Sequence, residues 1–185
     1  NFSYTTTYKM RVSTGVKDTS ENSMANTYET SSGFHTDTWV GTQQLGSSVD
    51  DIGYGVTVDS SNNIYIAGRG GGIDGKSTFG QTDNFLVKYN SSGFKQWSTV
   101  WGSSGTDYSD DVAVDSSGNI YTTGHNYKSG YGNEVTLVKH NSSGTQQWEV
   151  TLSTAGSESG YGVTVDSSNN IYVTGYTNGS LDGTN

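Results

Sequence analysis

Val58-Asp-Ser-Ser-Asn-Asn-Ile-Tyr-Ile-Ala-Gly68 decides the reading of this chain, because it occurs three times. It returns as VDSSGNIYTTG at 114–124 and as VDSSNNIYVTG at 165–175. The spacing is 56 residues from Asp59 to Asp115 and 51 from Asp115 to Asp166. A fixed period of this size marks a repeat architecture.

Outward from that stretch, each unit shows four apolar segments. The first is Val56–Val58, matched by 112–114 and 163–165. The Asp-Ser-Ser-Asn/Gly-Asn run after it predicts a tight hairpin. Asp accepts hydrogen bonds from its own backbone two residues on, and Asn or Gly tolerates positive φ. The second segment is Ile64–Ala67, matched by 120–123 and 171–174, and a glycine ends each copy. A variable Gly-rich loop leads to the third, Asp83–Tyr89 and Glu134–His140. Asn-Ser-Ser-Gly turns at 90–93 and 141–144 lead to the fourth, which carries Gln96-Trp97 and Gln147-Trp148.

These segments are short, alternate with turns and show no helical period. The composition agrees: 30% apolar residues, yet 13 Tyr, 5 Phe and 4 Trp, too many aromatics for a solvated coil. Four antiparallel strands per unit of this length predict an all-β fold, a β-propeller-type repeat of four-stranded antiparallel blades. The chain holds about 2.5–3.5 such blades, dividing at 41–101, 102–152 and a partial unit at 153–185. Residues 1–40 read as a strand-rich lead-in or a degenerate blade, with Tyr4–Val12 as a strand and Trp39 at a repeat-like spacing. Two and a half blades do not close a ring. The count therefore implies either the remainder of a longer chain or self-assembly with residues 1–40 completing a neighbour's blade. The first residue, Asn1, also fits a processed product or a segment.

The stretches GYGVTVDSSNNIYIAG (53–68), DNFLVKYNSSG (83–93), QW (96–97) and GYTNGSLDG (175–183) resemble the SBBP repeat. That family of seven-bladed β-propeller repeats occurs mainly in bacterial and archaeal surface and secreted proteins. The resemblance covers about 41–185 and departs from the pattern at the loop 68–83. It implies an extracellular or cell-surface location and a scaffold without shared catalytic residues.

Formal charge is −9 and pI about 4.5. Nucleic acid is excluded as a partner, since phosphate binding needs a basic stripe. No run is apolar enough for a spanning helix, so membrane insertion is not expected. There are no cysteines. Gly70–Gly75 fits G-x-G-x-x-G as letters, but it sits in an inter-strand loop rather than between a strand and a helix. His35, His125 and His140 make no metal or catalytic spacing, and His140 fills the Tyr89 position as a strand residue.

Two sets of residues are candidate sites. Asp51, Asp107 and Glu158 share one repeat position and, as oxygen ligands, suit Ca²⁺; solubility and turn capping are the competing reading. Tyr54, Tyr108 and Tyr161 are rim aromatics suited to a carbohydrate, with Tyr54 and Tyr161 sharing a repeat position that Asp110 interrupts. Trp97 and Trp148, which as exposed rings would offer carbohydrate stacking platforms, read as core between blades, as does the Leu45/Trp101/Leu152 series. The function expected is a non-catalytic extracellular or cell-surface interaction or structural scaffold with protein or glycan partners and no cofactor. The alternatives are a carbohydrate-binding, lectin-like module and a propeller enzyme of hydrolase or lyase type.

Overall fold

A computed structural model of the chain describes residues 45–130 and 132–180 in full. Before residue 45 it describes the backbone of four two-residue strands: β1 (Thr7–Tyr8), β2 (Arg11–Val12), β3 (Tyr28–Glu29) and β4 (Phe34–His35). The chain divides into two compact units, Asn1–Gly41 and Thr42–Asn185. In the first, β1 pairs with β4 and β2 with β3, both antiparallel. The single strand read over 4–12 is thus two strands with different partners. Trp39, Leu181, Asp182 and Gly183 lie outside the described residues.

The second unit is built of antiparallel sheets. β5 (Ile52–Val58), β6 (Ile64–Gly70), β7 (Asp83–Tyr89) and β8 (Lys95–Trp101) form one four-stranded sheet in sequence order. β9 (Tyr108–Val114), β10 (Ile120–Lys128), β11 (Gly132–His140) and β12 (Gln146–Leu152) form the next. β13 (Glu158–Val165) and β14 (Ile171–Thr177) pair as a two-stranded third. The first strands of the sheets, β5, β9 and β13, lie against one another in succession.

The hairpin turns form as their chemistry dictates. Asp59 Oδ1 accepts from the Ser61 and Asn63 amides at 2.9 Å, and Oδ2 from Asn63 Nδ2 and the Tyr65 hydroxyl at 2.8 and 2.9 Å. Asp115 and Asp166 repeat all four bonds, ending on Tyr121 and Tyr172. The left-handed residue of the turn is Asn62, Gly118 or Asn169, with φ of 61, 79 and 62°. Burial raises the Asp59 and Asp115 carboxyls, but these bonds outweigh it and hold both below the ordinary value.

The glycine closing each repeated stretch has a backbone reason. A Cβ on Gly68, Gly124 or Gly175 would meet the carbonyl oxygen of Ile52, Tyr108 or Ser159 at 2.0, 1.8 and 2.1 Å. At these points the first two strands of each sheet shift register through a bulge.

Period-two alternation sends side chains to both faces of the first sheet. Tyr65, Ala67, Leu86 and Trp101 pack on Val112, Ile120 and Val138 of the second sheet. Phe85, Val87 and Tyr89 face the other way and are covered by Ile73, from a 3₁₀ turn in the long 71–82 loop. Both faces of β7 are therefore buried, which explains its unbroken apolar run. Ala113 and Tyr121 of the second sheet pack on Val163 of the third.

Two core assignments, Trp148 and Leu152, are corrected, while Trp97 packs against the core as expected. Trp97 is half-buried because it lies under the next sheet's β11–β12 turn: its Nε1 donates to Ser142 O at 3.2 Å, and its ring closes on Gly144. Trp148 has no such turn over it among the described residues and is 36% exposed, touching Tyr121 at 6.0 Å between ring centroids. Leu152, on the same edge strand, is exposed whereas its counterpart Trp101 is buried. Burial at these positions comes from the neighbouring sheet, not from the repeat itself. His140 is fully buried against Trp101, centroids 4.6 Å apart, as a strand residue.

Candidate functional site: one rim of the stacked sheets

The linker acids tie down the loops that lead into the sheets. Asp51 accepts from the Ser47 amide and hydroxyl and from the Gly71 amide. Asp107 accepts from the Ser103 amide and hydroxyl and from the Tyr127 amide. Glu158 accepts from the Thr154 amide and hydroxyl and, one methylene longer, reaches the Thr177 hydroxyl at 3.4 Å. Each acid thus latches the loop leading into its sheet to the end of the second strand of the following hairpin. The three sit in three successive linkers rather than in one cluster. Among the described residues no group of three or more His, Asp or Glu side chains is arranged to hold a metal.

Tyr54, Tyr108 and Tyr161, in contrast, are brought together. They line one open cavity of about 290 Å³ with Asp110, His125, Ser159 and Tyr176. Three repeat positions build this rim. The first is Ile52, Tyr108, Ser159; the second is Tyr54, Asp110, Tyr161; the third is Arg69, His125, Tyr176. Strand register joins the first to the third, as Ile52↔Arg69, Tyr108↔His125 and Ser159↔Tyr176. The bulge glycines sit beside these pairs, so all nine residues collect where the first strand starts and the second ends.

Inside the cavity Tyr108 stacks on His125, centroids 4.5 Å apart, and carries the Arg69 guanidinium 4.4 Å over its ring. Arg69 Nε donates to the Tyr54 hydroxyl at 3.2 Å. Tyr108 is therefore engaged within the protein, whereas Tyr54 and Tyr161 are 44% and 60% exposed. His125 Nδ1 lies 2.7 Å from Ser159 Oγ and 3.8 Å from Asp110 Oδ2. Burial holds this imidazole below its ordinary value; Asp107 opposes the shift and Arg69 adds to it. Burial, and then the Asp111 charge, push the Asp110 carboxyl up. Ser, His and Asp do meet here, but both oxygens address the same ring nitrogen. A relay of the serine-hydrolase kind needs hydroxyl and carboxylate on opposite nitrogens.

The third position escaped sequence reading because Arg69, His125 and Tyr176 follow the glycine taken as the strand's end. Their common offset from that glycine was the available signal.

Four-stranded antiparallel sheets stacked about their first strands define a β-propeller repeat protein. The beta-propeller repeat model of the SBBP family matches residues 40–81, 96–125 and 152–182. The chain belongs to that family. It is also similar to an uncharacterized WD repeat-containing protein of Acanthamoeba polyphaga mimivirus, 29% identical over 182 residues, covering 74% of this chain and 13% of that protein. The chain thus spans about an eighth of the length of that relative. No helix among the described residues is long and apolar enough to cross a membrane.

Proposed function

We propose that this chain is a non-catalytic interaction module of an extracellular or cell-surface protein, binding its partner at the tyrosine-lined rim. One observation carries the reading. The hairpin aspartates, bulge glycines and linker acids recur from unit to unit, while two of the three rim positions carry a different residue in every unit and the third reads Tyr54, Asp110, Tyr161 on the same backbone. Residues that lie outside the repeated turn and bulge chemistry, yet gather Tyr, Asp, His and Ser around one cavity, suit ligand recognition.

A second reading, a lectin-like module, draws on Tyr54, Tyr161 and Tyr176, whose exposed rings offer stacking surface for a sugar. Catalysis is set aside because His125 is not placed between an acid and a nucleophile. Further sheets, from the rest of a longer chain or from another copy, extend the stack at β12 and β14. Val150, Leu152 and Val173 border a second cavity of about 300 Å³ there, and apolar side chains line most of it.

Probing immobilised chain with glycan and peptide arrays, against the Tyr54→Ala/Tyr161→Ala double variant, tests the proposal. Binding lost in the variant at unchanged melting temperature is expected. Glycan-only hits select the lectin-like reading, and binding indifferent to both tyrosines refutes the rim as the site. Surface biotinylation of intact producing cells tests the location.

A further inference from the structure

The repeat supplies its own control for a second site, away from the rim. Asp83 and Asp107 are both fully buried where the first sheet meets the second. Asp83 Oδ2 accepts from the Phe79 amide at 2.7 Å and the Gly80 amide at 3.4 Å. Its other oxygen, Oδ1, is buried without a hydrogen-bond partner. Both carboxylates converge on Gly102, where a Cβ would lie 2.2 Å from Asp83 Oδ1 and 2.5 Å from Asp107 Oδ2. Two carboxylate oxygens thus face one buried space. Burial, opposed by those amides and reinforced by the Asp107 charge, raises the Asp83 carboxyl.

The next linker solves the same problem differently. Glu134 occupies the Asp83 position, opposite Asn126 as Asp83 is opposite Gly70. There β10 runs on past Asn126 to Lys128, whose Nζ lies 2.6 Å from Glu134 Oε1. Ser153 replaces Gly102 and also hydrogen-bonds Glu134, and Lys128 and Ser153 together hold its carboxyl low against the upward push of burial. In the first linker β6 ends at Gly70. Among the described residues no Lys, Arg or His forms an ion pair with Asp83.

We propose that a divalent cation, Ca²⁺, bridges Asp83 and Asp107 and takes the place that Lys128 fills in the second linker. The two carboxylates supply the charge, and loop carbonyls and water complete the six to eight or so oxygens Ca²⁺ takes. The irregular loops 79–82 and 102–106 suit Ca²⁺ better than Mg²⁺, which demands near-octahedral geometry. The ion pins the first sheet to the second.

The test titrates CaCl₂ into chelator-stripped full chain, following heat and melting temperature, with NaCl at matched ionic strength as control. Expected is one saturable site with Kd on the order of 10⁻⁴–10⁻³ M, the range of extracellular Ca²⁺ modules. The melting temperature rises with Ca²⁺ and not with NaCl. Asp83→Asn weakens binding by about tenfold or more and removes the Ca²⁺ dependence of melting. Glu134→Gln, at the linker already neutralised, leaves binding intact. Equal affinity in wild type and Asp83→Asn overturns the proposal, as does loss of binding in Glu134→Gln. So does an absence of saturable binding together with stability that rises as pH falls, the signature of a proton shared by the two carboxyls. Should Asp83→Asn not fold, Tb³⁺ luminescence sensitised by the adjacent Trp101 and displaced by Ca²⁺ decides on the wild type; no luminescence refutes the site.

Discussion

His140 makes the stability of this protein sensitive to mild acid. Its ring is fully buried against Trp101, and neither nitrogen has a hydrogen-bond partner. Burial lowers its pKa from 6.5 to about 4. The folded state therefore resists a proton that the unfolded chain accepts. Above pH 6.5 both states are neutral and nothing is lost. Between 6.5 and 4 only the unfolded chain binds the proton, so stability falls as pH falls. Below 4 both bind it and the loss levels off. At 1.36 kcal/mol per pKa unit, the full loss is about 3 kcal/mol. His125 titrates in the same direction, while the raised Asp83, Asp110 and Glu149 act oppositely. The total curve is thus a sum, and a substitution isolates His140. Phe at this position keeps the ring and removes the proton site. Urea denaturation of wild type and His140→Phe from pH 7.5 to 4.5 gives a difference that grows toward acid by about 2–3 kcal/mol. The variant is also no less stable at pH 7.5, since it removes unpaired buried polar atoms. A pH-independent difference would show that His140 is protonated or hydrated in the folded state, and the reasoning fails.

Four more outcomes are expected. Asp115→Ala costs about 2–3 kcal/mol in urea denaturation because it strands the buried Tyr121 hydroxyl and two turn amides, whereas Asp166→Ala, beside the exposed Tyr172, costs less. Gly124→Ala drives a Cβ into the Tyr108 carbonyl and lowers stability by about 3 kcal/mol or more, or blocks folding, as read by circular dichroism. Trp148→Ala costs about 1–2 kcal/mol, below the 3–5 or so of a buried tryptophan, while it stays 36% exposed; a core-sized loss would mean another sheet covers it in solution. In light scattering the isolated chain self-associates through its open sheet edges, and a stable monomer with slow hydrogen exchange throughout 161–175 counts against that.

Local chemistry was the legible part of the fold. Asp59, Asn90 and their copies specify turns with side-chain acceptors, and the expected strand Asp83–Tyr89 has the bounds observed. The starts of the first strands were hidden. Gly53, Tyr54 and Gly55 break the alternation ahead of Val56 because a bulge lies there, and pairing across a bulge leaves no period to read. Burial was legible only where both neighbours are present. Trp97 and Trp148 have equivalent sequence contexts, and a turn from the adjacent sheet separates a half-buried ring from an exposed one. Of the rim, sequence yielded the three tyrosines and the interruption at Asp110. Their convergence with His125 and Ser159 depends on cross-strand register, which spacing along the chain does not encode.

The bulge glycines have a bearing on how such proteins change. Each fixes the crossing of two strands by backbone contact, so the neighbouring rim residues can differ from unit to unit without moving the strands. Copying a unit therefore carries a complete scaffold together with three vacant letters. Substitution at the exposed ones, Tyr54, Tyr161 and Tyr176, changes the rim at little cost in stability. Recombination among such units is a cheap source of new rim surfaces, and a lineage that owns one stable repeat holds the raw material for many.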